Sequence, residues 1–289
     1  KSYSKFTIDY PYPVAISVEA ANGMEYPMIC FNYGRPEKDG TYPEQTKWGA
    51  IGVIIHEVGH NFFPMIVNSD ERQWTWMDEG LNSFVEFLAS QEFDRNFPSR
   101  RGPAANIVPY MKADQGLQNP IMTNSENIIQ FGNNAYGKPA TALNILRETI
   151  MGRELFDYAF KEYARRWAFK HPTPEDFFRT MEDASGVDLD WFWRSWFYTT
   201  DRVDMSIENA KWFKMEQDPE TMANEKRADK KAKAAHVSRT YNMKDIPKVL
   251  VEEKSQLLDF YSTYDEHAVT DEQEKEWDTF KASLDGKEK

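Results

Sequence analysis

The sequence predicts a mainly α (α+β) fold with a small β portion at its N-terminal end. Short apolar and aromatic runs punctuated by proline occupy roughly the first 35 residues. From Glu44 onward the apolar residues recur at helical spacing. With 289 residues the chain can bury a full core, and its single cysteine, Cys30, excludes an internal disulfide framework and a cysteine zinc cluster.

In chain order, residues 7–10 and 13–18 read as strands broken by Pro11 and Pro13, and residues 26–33 as a further strand closed by Gly34. Cys30, inside that strand, reads as a buried small hydrophobe. Residues 44–63 form an amphipathic helical stretch. A second covers residues 76–93, where Met77, Leu81, Phe84, Val85 and Leu88 make one stripe. Residues 98–102 are loop and residues 123–127 a turn. A helix is expected over residues 138–150, with Pro139 in its first turn and Gly152 as its stop. Thr173-Pro174-Glu175-Asp176 has the pattern of a capping box for a helix ending at Gly186, and residues 189–198 form a short aromatic helix with core spacing. Beyond Asp204 the periodicity fades. Residues 225–239 carry six Lys or Arg beside Glu225 and Asp229, as a solvated helix or a linker would, and residues 249–261 suggest one more helix. The division along the chain is therefore 1–35 β portion, 36–203 helical domain, and 204–289 charged linker and acidic tail.

The formal charge of -12 argues against nucleic acid, since phosphate binding needs clustered Lys and Arg. Twelve Asp or Glu against five Lys after residue 250 place -7 of that charge in the tail. The longest apolar run, residues 48–55, is far short of the roughly 18–20 residues that span a bilayer. The chain opens Lys1-Ser2-Tyr3 in strand-like sequence with no initiator methionine or hydrophobic signal core, as a piece cut from a longer polypeptide would.

His56-Glu57-Val58-Gly59-His60 carries chemistry. Residues four apart on a helix stand one turn above each other, so both imidazoles can reach one ion, and Glu57 projects near the same face as a base for an activated water. Eighteen residues separate His60 from Glu79, which lies in Trp76-Met77-Asp78-Glu79-Gly80 at the opening of the second helix. His56, His60 and Glu79 complete a hydrolytic site for one zinc ion per chain, with one position left open. Gly49, Gly52 and Gly59 each cost the first helix about 1 kcal/mol relative to Ala, and such residues are kept where backbone approaches something closely. His171, His236 and His267 have no partner at ligand spacing and read as ordinary solvated histidines.

With these residues in place, the chain resembles the aminopeptidase N family of zinc metallopeptidases, over residues 11–200. Residues 56–63 resemble the family's H-E-x-x-H-x-x-F helix and residues 76–80 its W-x-N-E-G, with Asp78 for the asparagine; Ser83 falls where the family has a small hydroxyl. Asn22-Gly23-Met24-Glu25-Tyr26 resembles the G-x-M-E-N signature, with Asn22 for glycine and Tyr26 for asparagine. Asn119-Pro120-Ile121 resembles H-P-I, and residues 135–139 resemble the Y-x-K-G segment whose tyrosine, here Tyr136, stabilises an oxyanion.

The resemblance implies a thermolysin-like zinc metallopeptidase catalytic domain, excised from larger N- and C-terminal domains, whose residues 1–35 end a missing N-terminal domain and form an amine-binding edge. It implies a zinc-dependent aminopeptidase acting on peptides with a free N-terminus, with Glu57 and Tyr136 catalytic and Gly23, Met24 and Glu25 binding substrate. It leans toward an exported or periplasmic protein and says nothing of oligomeric state. The alternatives are an endopeptidase or epoxide hydrolase on the same site, or a scaffold that keeps the fold without the chemistry.

Overall fold

The first residues fold as helix, not strand. In this computed structural model, which describes residues 1–37, 41–202, 208–212, 218, 220–221, 223–224, 236–258, 269 and 271–284, helix α1 covers Ser2–Phe6. Tyr3 and Phe6, three apart, enter the main core together. Thr7 closes the turn, with its N–H (2.9 Å) and Oγ1 (2.7 Å) both donating to the Tyr3 carbonyl. Residues 7–10, expected as a strand, are irregular because burial of α1 overrides a local β preference.

Strand β1 is Ile16–Glu19, and the single run expected over residues 26–33 is a hairpin of β2, Met24–Tyr26, and β3, Ile29–Asn32. Met28, at φ +65°, makes its turn. The sheet order is β1-β3-β2, with β1 parallel and β2 antiparallel to β3. Ser17, Cys30 and Glu25 stand in register, as do Val18, Phe31 and Met24. Strand alternation therefore puts Glu25 on the face of buried Cys30 and sends Met24, 41% exposed, to the other.

Helix α2, Glu44–Gly59, stops short of the expected residue 63. Asn61 accounts for this: its Nδ2 donates to the Val58 carbonyl (2.9 Å) and its Oδ1 accepts from the Met28 N–H (2.8 Å), so the end of α2 is tied to the hairpin. Pro64 then lacks a donor with which to continue a helix. A π-helical turn, Trp76–Gly80, runs straight into α3, Leu81–Phe93. Two helices that had no individual expectation follow, α4 (Ala104–Lys112) and, later, α6 (Arg153–Trp167). Between them a π turn, Gly132–Gly137, leads into α5, Lys138–Ile145, which continues as the π turn Leu146–Ile150.

Helix α7, Pro174–Ser185, has the expected capping box, with the Thr173 N–H donating to Asp176 Oδ2 at 2.9 Å, and ends at Gly186 with φ +69°. Helix α8, Asp190–Trp193, continues as the π turn Arg194–Tyr198. Phe192, Trp193 and Phe197 are core, whereas Trp191 lies 57% exposed on the opposite side of this short helix. Rings of Trp76, Phe178, Trp193 and Phe197 stack and cross at centroid distances of 4.7 to 5.8 Å, behind the start of α3.

The chain forms two compact units, Lys1–Glu253 and Lys254–Lys289. In the first, helix Val237–Asp245 is held by Arg153, whose Nη1 donates to Asp245 Oδ2 at 2.9 Å. Its cap is His236, which accepts from the Arg239 N–H and lies 5.7 Å from the Phe87 ring; this histidine is half-buried rather than solvated, and burial together with Arg239 lowers its pKa. His171 is exposed, while His267 and residues 225–235 of the basic stretch lie outside the described residues. The helix expected over residues 249–261 is broken. Helix Leu250–Glu253 buries its Val251 and the preceding Val249, Ser255–Leu258 is a separate 3-10 turn in the second unit, and residues 259–261 lie outside the described residues. The second unit holds helix Asp271–Leu284.

Of the three glycines of α2, only Gly59 meets the close-approach expectation. A Cβ there would overlap the Tyr3 hydroxyl and Asn82 Oδ1, whereas at Gly52 it would meet Phe97 at an ordinary 3.6 Å and at Gly49 nothing within 4 Å.

Candidate metal and catalytic site

Helix α2 brings His56 and His60 to one side, and the π turn before α3 brings Glu79 to meet them. His56 Nε2 lies 3.1 Å from His60 Nε2 and 3.0 Å from Glu79 Oε2, which is 3.4 Å from His60 Nε2. A tetrahedral ion with bonds of about 2.0–2.1 Å separates its ligand atoms by roughly 3.3 Å, so the triangle fits zinc without rearrangement. All three side chains are mostly withdrawn from water, with 9%, 1% and 15% of their surface exposed.

The other nitrogen of each ring is also taken. His56 Nδ1 lies 3.0 Å from Glu86 Oε2, and His60 Nδ1 lies 2.9 Å from the Phe63 carbonyl oxygen, which fixes both rings with Nε2 toward the common point. Asp78 Oδ1 sits 2.8 Å from His60 Nδ1, a second carboxylate beside that ring. Burial draws the His56 pKa down, yet its hydrogen bonds to Glu79 and Glu86 outweigh this and raise it to about 9. The imidazoles in turn hold the Glu79 carboxyl well below its usual range despite its burial. The negative field that draws protons onto the rings equally favours a divalent cation.

Glu57 is buried beside the histidines, and its Oε2 has no hydrogen-bond partner among the described residues. Burial pushes its pKa up to about 7, the imidazoles pulling down and Glu25 and Glu79 pushing up. Glu25, from edge strand β2, reaches this cluster: carboxylate oxygens of Glu25 and Glu57 and a nitrogen of His60 all lie within 4.8 Å of one another. Gly23, at φ +75°, passes its backbone beside Glu57, where a Cβ would stand 3.7 Å from Glu57 Oε1. Met24, 41% exposed, turns its side chain to the far face of the sheet, away from the cluster.

Tyr136 arrives on the π turn Gly132–Gly137, which packs against the π turn bearing Glu79. Gly80 permits that approach, since a Cβ there would stand 2.6 Å from Pro139 Cγ and 2.9 Å from the Ala135 carbonyl oxygen. The Tyr136 hydroxyl donates to Glu79 Oε1 at 2.6 Å, and burial together with Glu79 raises its pKa.

Several contributors had no sequence expectation. Glu86 follows Glu79 by seven residues, two turns on one face, a spacing that could have marked it. Asn82 donates from Nδ2 to the His56 carbonyl (2.8 Å) and accepts from the Tyr3 hydroxyl (2.6 Å), locking α1, α2 and α3 together. Arg101, in the loop before α4, lies over the Tyr136 ring. No local pattern marks either one.

A small sheet thus lies along one rim of a helical frame that holds a His-His-Glu cluster. The crystal structure of an M1 zinc metallopeptidase mutant from Deinococcus radiodurans shares this fold with a TM-score of 0.53 at 18% identity, over 70% of this chain and 44% of that one. The chain belongs to peptidase family M1, whose domain description, "Peptidase family M1 domain", matches residues 2–196. Among curated relatives, glutamyl aminopeptidase of Sus scrofa is 28% identical over 146 residues, covering 48% of this chain and 15% of the relative. Aminopeptidase M1 of Arabidopsis thaliana is 25% identical over 209 residues, covering 66% of this chain and 23% of the relative. The chain thus spans less than a quarter of the length of these relatives.

Proposed function

We propose that this chain is the thermolysin-like catalytic portion of a zinc aminopeptidase. Residues 1–35 supply the amine-binding edge, residues 36–203 the helical peptidase domain, and residues 204–289 a charged linker and tail. The observation that carries the reading is the triangle of His56 Nε2, His60 Nε2 and Glu79 Oε2, with the unpartnered Glu57 Oε2 buried beside it. These three residues would hold zinc, which when bound supplies a Lewis acid for the scissile carbonyl and acidifies water.

The protein's own groups do the rest. Glu57 takes the proton of the attacking water and passes it to the leaving amine; a carboxyl near pH 7 can both accept and return a proton. The Tyr136 hydroxyl turns from Glu79 to donate to the oxygen that becomes negative in the tetrahedral state. Glu25 pairs with the substrate's α-ammonium, which sets the reacting bond one residue from the N-terminus. Burial of the site withholds water from these charges and strengthens each interaction.

The reading is tested with one peptide in free and N-acetylated form, offered to zinc-loaded protein and to Glu25→Ala. Acetylation removes the charge that Glu25 pairs with, so the unmodified protein should cleave the free peptide at least about a hundredfold faster, as the loss of a charged partner in a buried pair costs about 3–5 kcal/mol. Glu25→Ala should erase most of that preference. Equal cleavage of both peptides by the unmodified protein would refute the aminopeptidase assignment.

A further inference from the structure

The loop between α3 and α4 brings Arg101 over the ring of Tyr136, its guanidinium carbon 4.1 Å from the ring centroid. Its Nη1 donates to Ser83 Oγ at 3.2 Å and lies 3.9 Å from Glu86 Oε2, the same oxygen that faces His56 Nδ1. The phenol ring also stacks on the His56 imidazole, with centroids 5.9 Å apart and planes at 25°, and meets the Phe131 ring edgewise at 6.0 Å. Tyr136 is therefore gripped by its ring, while among the described residues its hydroxyl has a single partner in Glu79 Oε1.

That division has a mechanical consequence. A hydroxyl that must leave Glu79 and donate to a substrate oxygen needs free rotation about its C–O bond and a ring that does not follow it. A cation on the ring face fixes the ring plane without touching the hydroxyl. Its positive charge also favours the electron density that the phenol oxygen takes on as it donates. Ser83 holds the guanidinium from the side, and Glu86 balances its charge. The planar fork of arginine can stack on the ring and make these polar contacts together, which an ammonium cannot.

Resting on the peptidase reading above, we propose that Arg101 is the positioning residue of the Tyr136 phenol, coupling it through Glu86 to the histidine that faces the metal. Arg101 is not a substrate ligand in this account and not a metal ligand; it acts through Tyr136. Its contribution therefore exists only while the phenol hydroxyl is present.

The test is a double-mutant cycle on the intact, zinc-loaded protein: Arg101→Ala, Tyr136→Phe and both together, with kcat and KM for one free peptide. Zinc content after dialysis and the melting temperature are read on each. Arg101→Ala should lower kcat about fivefold, the scale of one partly exposed cation–π contact, with KM within about twofold and zinc content unchanged. In the Tyr136→Phe background, itself slowed about 10²- to 10³-fold, the same change should add less than about twofold. Guanidinium ion in the millimolar range should restore part of the lost rate of Arg101→Ala and none of that of the double variant, and Arg101→Lys should fall between Ala and Arg. A peptide phosphinate, which mimics the tetrahedral state, should bind Arg101→Ala more weakly by the same factor as the fall in kcat/KM, a readout independent of turnover. Full additivity of the two substitutions, a loss confined to KM, or an unchanged kcat in Arg101→Ala would overturn the proposal while leaving the peptidase reading intact. An unmodified zinc-loaded protein that neither cleaves peptides nor binds the phosphinate would overturn both.

Discussion

Replacing Gly59 by Ala should destabilise the protein, although the same change in an open helix stabilises by about 1 kcal/mol. The added methyl would stand less than 3.0 Å from both the Tyr3 hydroxyl oxygen and Asn82 Oδ1. Neither can move away cheaply. Tyr3 is 7% and Asn82 0% exposed, they share a 2.6 Å hydrogen bond, and Asn82 Nδ2 also holds the His56 carbonyl at 2.8 Å. Overpacking costs about 1–3 kcal/mol and a buried hydrogen bond forced open about 1–3 more, so the net loss after the helix gain is about 1–5 kcal/mol. At roughly 2–4 °C per kcal/mol for a domain of this size, the melting temperature should fall by roughly 2–20 °C. Thermal unfolding followed by circular dichroism measures this directly, with urea unfolding as a check. Gly49→Ala is the internal control, since its methyl meets nothing within 4 Å and should raise stability by up to about 1 kcal/mol. A Gly59→Ala protein as stable as Gly49→Ala would refute the reasoning, because it would mean that Tyr3 and Asn82 do not occupy that space.

Glu57→Gln should retain one zinc per chain and lose nearly all turnover, whereas Glu79→Ala should lose zinc itself; equal zinc loss in the two would show that base and ligand are wrongly assigned. Lys138, 2% exposed, reaches only the Thr199 carbonyl, at 3.4 Å, among the described residues, and burial lowers its pKa from 10.5 to about 8. Because the unfolded chain holds this proton more tightly, the charge opposes folding below pH 8 and the penalty fades as pH rises from 8 to 10.5. Lys138→Met should therefore be more stable at pH 7, by at most about 3 kcal/mol, with the advantage shrinking toward pH 10 in urea titrations; a difference independent of pH would show that the lysine is not desolvated.

Much of the frame was legible because its causes are local. The capping box at Thr173 and the stop at Gly186 depend on residues within one or two turns, and both stand in the structure as the sequence reads. The helical spacing that puts His56 and His60 on one face is a property of five consecutive residues. The start of the chain departs from its local pattern for the converse reason. Residues 2–6 are helical because Tyr3 and Phe6 find their burial against elements far along the chain, which no local window contains. The run over residues 26–33 was apolar enough for one strand, and its division into a hairpin follows from a turn at Met28 and the hold of Asn61 on that residue's N–H.

The sequence by itself pointed to a metal-binding pair with a base beside it, because His56, Glu57 and His60 stand at a fixed short spacing, while the role of Tyr136 followed only from resemblance to the family. It also determined the order of helices that carries them, through apolar periodicity and caps. Only the tertiary structure decided how they meet. Two π turns packed through Gly80 bring the Tyr136 hydroxyl to Glu79, and strand alternation turns Glu25 toward the cluster and Met24 away. Tyr3, Asn82, Glu86 and Arg101 took their places around the histidines and the phenol through contacts between separate elements. Such contacts form where buried polar groups must find partners from whatever element lies nearest, and that neighbour is set by packing rather than by position along the chain.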